Sequence, residues 1–229
     1  MKIQILPLLE GAKQATGLTV IIDVFRAFSL EAYMHANHAE KIIPVKTVEE
    51  AFQLKQQNPS YVLVGERGGI KIDGFQYGNS PSEFVHQDLT GKVLVHTTSA
   101  GVQGIAAATN ADEIVTGALV NAKATAGYIE KKKPDVVSIV PMGWGGENCT
   151  EEDQLCAEYL QALLLHQQLP DLQQRIEQLK YQEGKKFFDP SKPQFPEEDF
   201  WLCTKLDVFD GVNRVIHDGN TFISEWIEE

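Results

Sequence analysis

Two segments of this 229-residue chain set opposite charges among residues that let a ligand come close. Asp23-Val24-Phe25-Arg26 follows the β-branched run Leu18–Ile22, and Gly65-Glu66-Arg67-Gly68-Gly69 follows Tyr61–Val64. Glycine allows backbone to approach a bound group and to reach φ > 0 without steric cost. Each segment pairs a carboxylate with a guanidinium. Carboxylate oxygens with water suit Mg2+, and the guanidinium fork suits phosphate, carboxylate or sulfonate. Three hydroxyls, Thr97-Thr98-Ser99, come just after Val93–Val95, and Asn121 ends the loop after Glu113–Val115. A fifth loop, Gly143-Trp144-Gly145-Gly146, follows Asp135–Val140. Together these residues point to a multiply anionic ligand and a hard divalent cation.

Rival chemistries lack their residues. An aspartyl-phosphate mechanism wants Asp-x-Asp after the first strand, but Phe25 holds the second position. The phosphate-cradling GxxxxGK[ST] loop is absent from the sequence. Six histidines form no HxH or HExxH pattern, which argues against zinc. Cys149 lies near the fifth loop without a histidine to pair with it. Cys149, Cys156 and Cys203 are odd in number and form no CxxC, so reduced thiols and a cytoplasmic location are expected.

Something must hold these loops together. Strand-like runs at Leu18–Ile22, Lys41–Val45, Tyr61–Val64, Val93–Val95, Glu113–Val115 and Asp135–Val140 alternate with helical stretches. The helices are expected at Ser29–Asn37, Val48–Gln57, Gly101–Thr109 and Ala122–Lys131. Crossovers of this length imply an α/β fold: a mainly parallel sheet with helices on both faces, in α/β/α layers. Ligands bind such sheets at the carboxyl ends of the strands, so the loops are expected along one sheet edge. Residues 18–66 and 92–146 also look alike, with Ala39-Glu40-Lys41-Ile42-Ile43 answering Ala111-Asp112-Glu113-Ile114-Val115. Two similar βαβαβ halves are one expectation. Further on, Glu151–Gln168 and Pro170–Lys180 are expected as helices, Gly184–Pro196 as a loop, and another helix from Pro196. No flexible linker interrupts the chain, so residues 1–229 are expected to form a single domain.

A net charge of −12, with no basic cluster beyond Lys131-Lys132-Lys133, disfavours nucleic acid as a partner. No apolar run approaches the ~20 residues of a membrane span, and the first residues lack a leader pattern. A small anionic molecule remains, provided arginines, helix N-termini or a metal supply local positive charge.

The segments Asp23–Ser29, Gly65–Gly69, Lys71–Phe75, Gly78-Asn79-Ser80-Pro81, Thr97–Gly101, Gly117–Ala122 and Glu152-Asp153 resemble, in order, the 2-phosphosulfolactate phosphatase family. Glu198-Asp199, Cys203 and Leu206-Asp207-Val208 resemble its closing segment. The resemblance implies an Mg2+-dependent phosphatase that converts 2-phosphosulfolactate to 3-sulfolactate and phosphate in coenzyme M or sulfolactate synthesis. It also implies a homo-oligomer, expected as a homodimer. In that reading Asp23, Glu66, Glu152 and Asp153 hold Mg2+, while Asp23, Glu66 and Arg67 carry catalysis. Arg26, Asn79, Ser80, Thr97, Thr98, Ser99 and Asn121 bind substrate. Phe28, Leu30, Ala100, Val102 and Trp144 depart from the family's usual residues in these loops. The alternatives are therefore a different small phosphorylated acid, or non-catalytic anion binding on the same scaffold.

Overall fold

In the computed structural model, which describes residues 1–219 and 221–228, each expected β-branched run forms a strand. These are β2 (Gly17–Ile22), β3 (Lys41–Pro44), β4 (Val62–Arg67), β6 (Val93–Thr97), β7 (Ala111–Gly117) and β8 (Val136–Pro141). Between them run α2 (Ala27–Ala36), α3 (Val48–Gln57), α4 (Gly101–Ala107) and α5 (Ala122–Lys132), followed by α6 (Glu151–Leu164). A Thr47–Glu50 capping box starts α3, satisfying two otherwise orphaned N–H groups. The expected Pro170–Lys180 helix is the shorter α7 (Leu172–Gln178), continued by a 3-10 turn at Leu179–Tyr181. The expected loop Gly184–Pro196 begins within a 3-10 helix, Glu183–Phe188, before α8 (Glu197–Cys203).

Five strands and α-helices have no counterpart in the sequence reading: β1 (Lys2–Ile5), α1 (Leu8–Gln14), β5 (Ile70–Lys71) and the hairpin β9 (Gly211–Asp218)–β10 (Thr221–Glu228). All ten strands join one sheet in the order β1-β8-β2-β7-β9-β10-β3-β6-β4-β5. Pairing is parallel within β1-β8-β2-β7 and within β3-β6-β4. It is antiparallel at β7–β9, β9–β10 and β10–β3. Three reversals in succession make the two parallel blocks run in opposite directions. The carboxyl ends of the strands therefore do not share one edge, which corrects that part of the sequence reading. Neighbouring strands of a sheet rotate by roughly 20–25°, so the two blocks are also turned relative to one another. The loop after β2 nonetheless meets the loops after β4 and β6 around one cavity. Among these six strands alone, the order is also unchanged when β2, β3, β4 are exchanged with β6, β7, β8 and the list is reversed.

Alternation along the strands decides what faces the site. Ile42, Val64 and Leu94 pack with Leu30 and Met34 of α2. Their chain neighbours Ile43, Leu63 and Val95 pack with Ala51 of α3. Successive side chains of a strand point to opposite faces, so this block has α2 on one side and α3 on the other. In the other block β2 is buried along its whole length, as a central strand covered on both faces must be.

Candidate active site

The loop after β2 turns directly into α2, and Asp23 sits at that turn with 7% of its surface exposed. Its Oδ1 accepts the N–H of Ala27 at 3.1 Å, and its Oδ2 accepts the N–H of Gly101 at 3.0 Å. One carboxylate thus bridges the starts of α2 and α4, which belong to different halves of the chain. Gly101 is required there: a Cβ would lie 3.0 Å from Asp23 Oδ2 and 2.9 Å from Phe28. Glu66, also buried, accepts the Ser99 N–H at 2.7 Å through Oε1. Its Oε2 takes the Gly69 N–H at 2.6 Å and the Ser99 hydroxyl at 3.1 Å. Gly69 has φ +82°, and a Cβ would strike the Phe195 ring at 2.2 Å.

Asp23 and Glu66 line one cavity of about 250 Å3 together with Arg26, Asn79, Ser99 and the aromatic rings of Phe25, Trp144 and Phe195. Burial pushes the Asp23 carboxyl up to about 6, and the negative charge of Glu66 adds to the shift. Two carboxylates facing one cavity favour a cation between them. Mg2+ is commonly bound through one or two carboxylates, with water and a substrate phosphate completing its shell. Asp23 and Glu66 fit that mode. Among the described residues no group of three or more His, Cys, Asp or Glu converges to hold a metal unaided.

Glu152 and Asp153 do not line this cavity. Asp153 instead clamps two loops, accepting the Val24 N–H at 2.7 Å and the Gly143 N–H at 2.8 Å. Burial, with Glu152 and Asp23 nearby, raises its carboxyl well above the usual range. Glu152 is pushed up to about 7 by burial, against the opposing pull of the Lys186 ammonium, and among the described residues its Oε2 has no hydrogen-bond partner.

Arg67 also lies outside the cavity. Strand β4 continues through it, pairing Glu66 with Lys71 and Arg67 with Ile70, so the two side chains leave on opposite faces. Arg67 donates to the carbonyls of Glu66 (2.7 Å) and Lys46 (3.2 Å) and to the Thr97 hydroxyl (2.9 Å). Thr97 is thereby used on the α3 side, and the Thr98 hydroxyl accepts the Val102 N–H at the start of α4. Asn121 is fully buried elsewhere, accepting from Ala118 N–H and donating to the Gly211 carbonyl, which ties β7's loop to β9.

Arg26 reaches the cavity with its guanidinium already engaged. It donates to Asp199 at 2.8 Å and to the carbonyls of Gln194 and Gly69, and lies 4.9 Å from the Phe195 ring centre. The Ser80 hydroxyl and the Ser82 N–H donate to the same Asp199 carboxylate. Ser80 therefore supports Arg26 from behind. Asn79 does line the cavity, and its amide oxygen faces His96 Nε2 at 3.2 Å. His96 Nδ1 in turn meets Glu31 Oε1 at 3.0 Å, and both residues are fully buried. Glu31, His96, Asp199, Lys186 and Phe195 were not assigned to the site from sequence. Strand alternation places His96 with Leu94 on the α2 face, and that spacing was the available signal.

The buried acids make stability fall as pH rises. Asp23 and Glu152 have folded pKa values above their ordinary ones, so between about pH 4 and 7 the folded chain binds more protons than the unfolded one. The contribution is present at acid pH and lost on passing pH 6 for Asp23 and pH 7 for Glu152. Alone, either would be on the order of 3 kcal/mol, and less when they share charge with Asp153. The melting temperature of chelator-treated protein is expected to drop between pH 5 and 7.5, and Mg2+ to recover part of the loss at the upper end. A melting temperature that rises steadily over that range would contradict this arrangement of charges.

The sequence model of the 2-phosphosulpholactate phosphatase family matches residues 5–217. A Bacillus subtilis (strain 168) protein is 36% identical over 205 residues, covering 88% of each chain. One from Carboxydothermus hydrogenoformans is 40% identical over 173 residues, covering 75% of this chain and 71% of its own. One from Clostridium perfringens (strain SM101) is 31% identical over 208 residues, covering 84% and 83%. All three bear the name "Probable 2-phosphosulfolactate phosphatase". No helix among the described residues is long and apolar enough to cross a membrane.

Proposed function

The chain belongs to the 2-phosphosulpholactate phosphatase family, and on that premise we propose that it hydrolyses 2-phosphosulfolactate to 3-sulfolactate and phosphate, with Mg2+ as cofactor. The observation that carries the reading is the pair of buried carboxylates, Asp23 and Glu66, facing one cavity. These two would hold the cation. When bound, Mg2+ neutralises phosphate charge and acts as a Lewis acid on the phosphoryl oxygens.

The chain's own residues do the rest. Backbone N–H groups of Ala27, Gly101, Gly69 and Ser99 fix both carboxylates before any ligand arrives, so no reorganisation is needed at the moment of reaction. The Ser99 hydroxyl and Asn79 amide offer hydrogen bonds to phosphoryl oxygens. Arg26, steadied by Asp199, supplies positive charge at the cavity wall. One carboxylate of the pair orients the attacking water. Phe25, Trp144 and Phe195 limit the access of bulk water. We further propose that the reaction serves cytoplasmic coenzyme M or sulfolactate synthesis and that the working unit is a homodimer. Family membership supports the pathway, and three free cysteines support a reducing compartment.

Phosphate release from 2-phosphosulfolactate by the purified protein tests both halves of the proposal. Turnover is expected with Mg2+, loss in excess EDTA, and recovery when Mg2+ exceeds the chelator. Full turnover in excess chelator would refute the cofactor, and no release with Mg2+ present would refute the substrate.

A further inference from the structure

The segment between the 3-10 helix and α8 brings a second cleft of about 510 Å3 against the first, sharing Gly68, Trp144 and Phe195 with it. Lysines 185, 186 and 192 line this second cleft, a local positive concentration on a chain of net charge −12. Lys192 is paired with Asp189 at 3.8 Å. Lys186 differs from it. Its Nζ lies 4.6 Å from the Trp144 ring centre, 5.5 Å from Phe195, 5.6 Å from Phe187 and 5.7 Å from Phe25. Three of those rings, Phe25, Trp144 and Phe195, also line the carboxylate cavity. The ammonium therefore stands at the junction of the two spaces.

An ammonium carries three N–H donors, and ring faces attract its charge without accepting those hydrogen bonds well. Among the described residues Lys186 has no ion pair within 4 Å and no hydrogen-bond acceptor. Burial pushes its pKa down, while the carboxylates of Glu152 and Glu183 pull it back up. A half-buried cation paired with no acidic side chain among the described residues, walled by aromatic rings and open to a cleft, is arranged to receive an anion. The carboxylates at the other side of the cavity suit the metal-bound phosphate and would repel a second acid group left unpaired.

Taking the phosphatase reading as premise, we propose that Lys186 binds the second acid group of the substrate, a carboxylate or sulfonate on the carbon skeleton beyond the phosphate ester. It is thus a specificity-determining residue that separates acidic phosphate esters from neutral ones.

Lys186→Met and Lys186→Arg, compared with wild type on 2-phosphosulfolactate and on p-nitrophenyl phosphate, test this. Loss of one charge-assisted contact should lower the ratio of kcat/KM values for the two esters about ten- to a hundredfold in Lys186→Met, with partial rescue in Lys186→Arg. A ratio within twofold of wild type would overturn the proposal. Direct binding keeps the result apart from the phosphatase reading and from any folding defect. Sulfoacetate, which lacks a phosphate ester, should protect Lys186 of the wild-type protein from an amine-acylating reagent, read by peptide mass spectrometry. Undiminished labelling at saturating sulfoacetate would also overturn it. If wild type fails to hydrolyse 2-phosphosulfolactate while sulfoacetate still protects Lys186, the substrate assignment falls and the anion subsite stands.

Discussion

Asp23→Asn is expected to lower kcat by about a thousandfold or more while leaving the protein folded. Removing one of two carboxylates from a cation site forfeits several kcal/mol of transition-state stabilisation, and each 1.36 kcal/mol is tenfold in rate. Stability should move little because two effects oppose one another. The amide can accept only one of the Ala27 and Gly101 N–H bonds well, and the orphaned donor costs about 1–3 kcal/mol. Against this, a carboxyl pushed up to about 6 carries a penalty at pH 7 of roughly 3 kcal/mol, which the neutral amide escapes. Initial rates across an Mg2+ series, with melting temperatures on the same samples, check both halves. Activity within tenfold of wild type would remove Asp23 from the chemistry. Unfolding of the variant would mean that its two backbone contacts matter more than its charge.

The second large effect is on stability. Asp199→Ala should cost about 3–5 kcal/mol, because it strands the Arg26 guanidinium, only 3% exposed, without its counter-ion. The same change frees the Ser80 hydroxyl and the Ser82 N–H, which share that carboxylate. Urea denaturation with an unchanged m-value would report the loss as stability alone. Phosphatase activity should fall as well, since Arg26 would lose its fixed position at the cavity wall. If Arg26 and Ser80 instead meet the substrate directly and Asp199 is incidental, the variant should lie within about 1 kcal/mol of wild type. The measurement therefore separates a supporting network from a set of independent binding residues.

What the sequence makes legible here follows from how local each signal is. The β-branched runs and the helices between them are local, and they appear close to the expected places. Asp23, Glu66 and Ser99 each follow a β-branched run in the sequence, and the fold sets all three around one cavity. Arg67 was not separable from Glu66, because β4 runs on through Arg67 to pair with β5, where a loop had been expected from Gly65. Strand alternation then sends the two neighbours to opposite faces. Asp199 stands in a segment that resembles the family's close, as an acid in the first turn of a helix, and only the fold sets it beside Arg26. Lys186 lay inside a proline-rich stretch with no periodicity to assign it. The β9–β10 hairpin lacks clean apolar alternation: Gly211, Val212 and Asn213 are buried in succession, as are Ile223 and Ser224, where the hairpin is wedged between two blocks.

If Asp23 and Glu66 form the active site as proposed, that wedge governs when the site can assemble. Asp23 comes from one parallel block and Glu66 from the other, and among the described residues β9 and β10 join the two blocks within the sheet. Both are synthesised after every other strand, so during translation both carboxylates exist while the sheet that juxtaposes them does not. Assembly of the site depends on contacts of large sequence separation, the kind that form slowly. The site thus waits on β9 and β10, and a nascent chain short of residue 211 would carry the motifs without the sheet that brings them together.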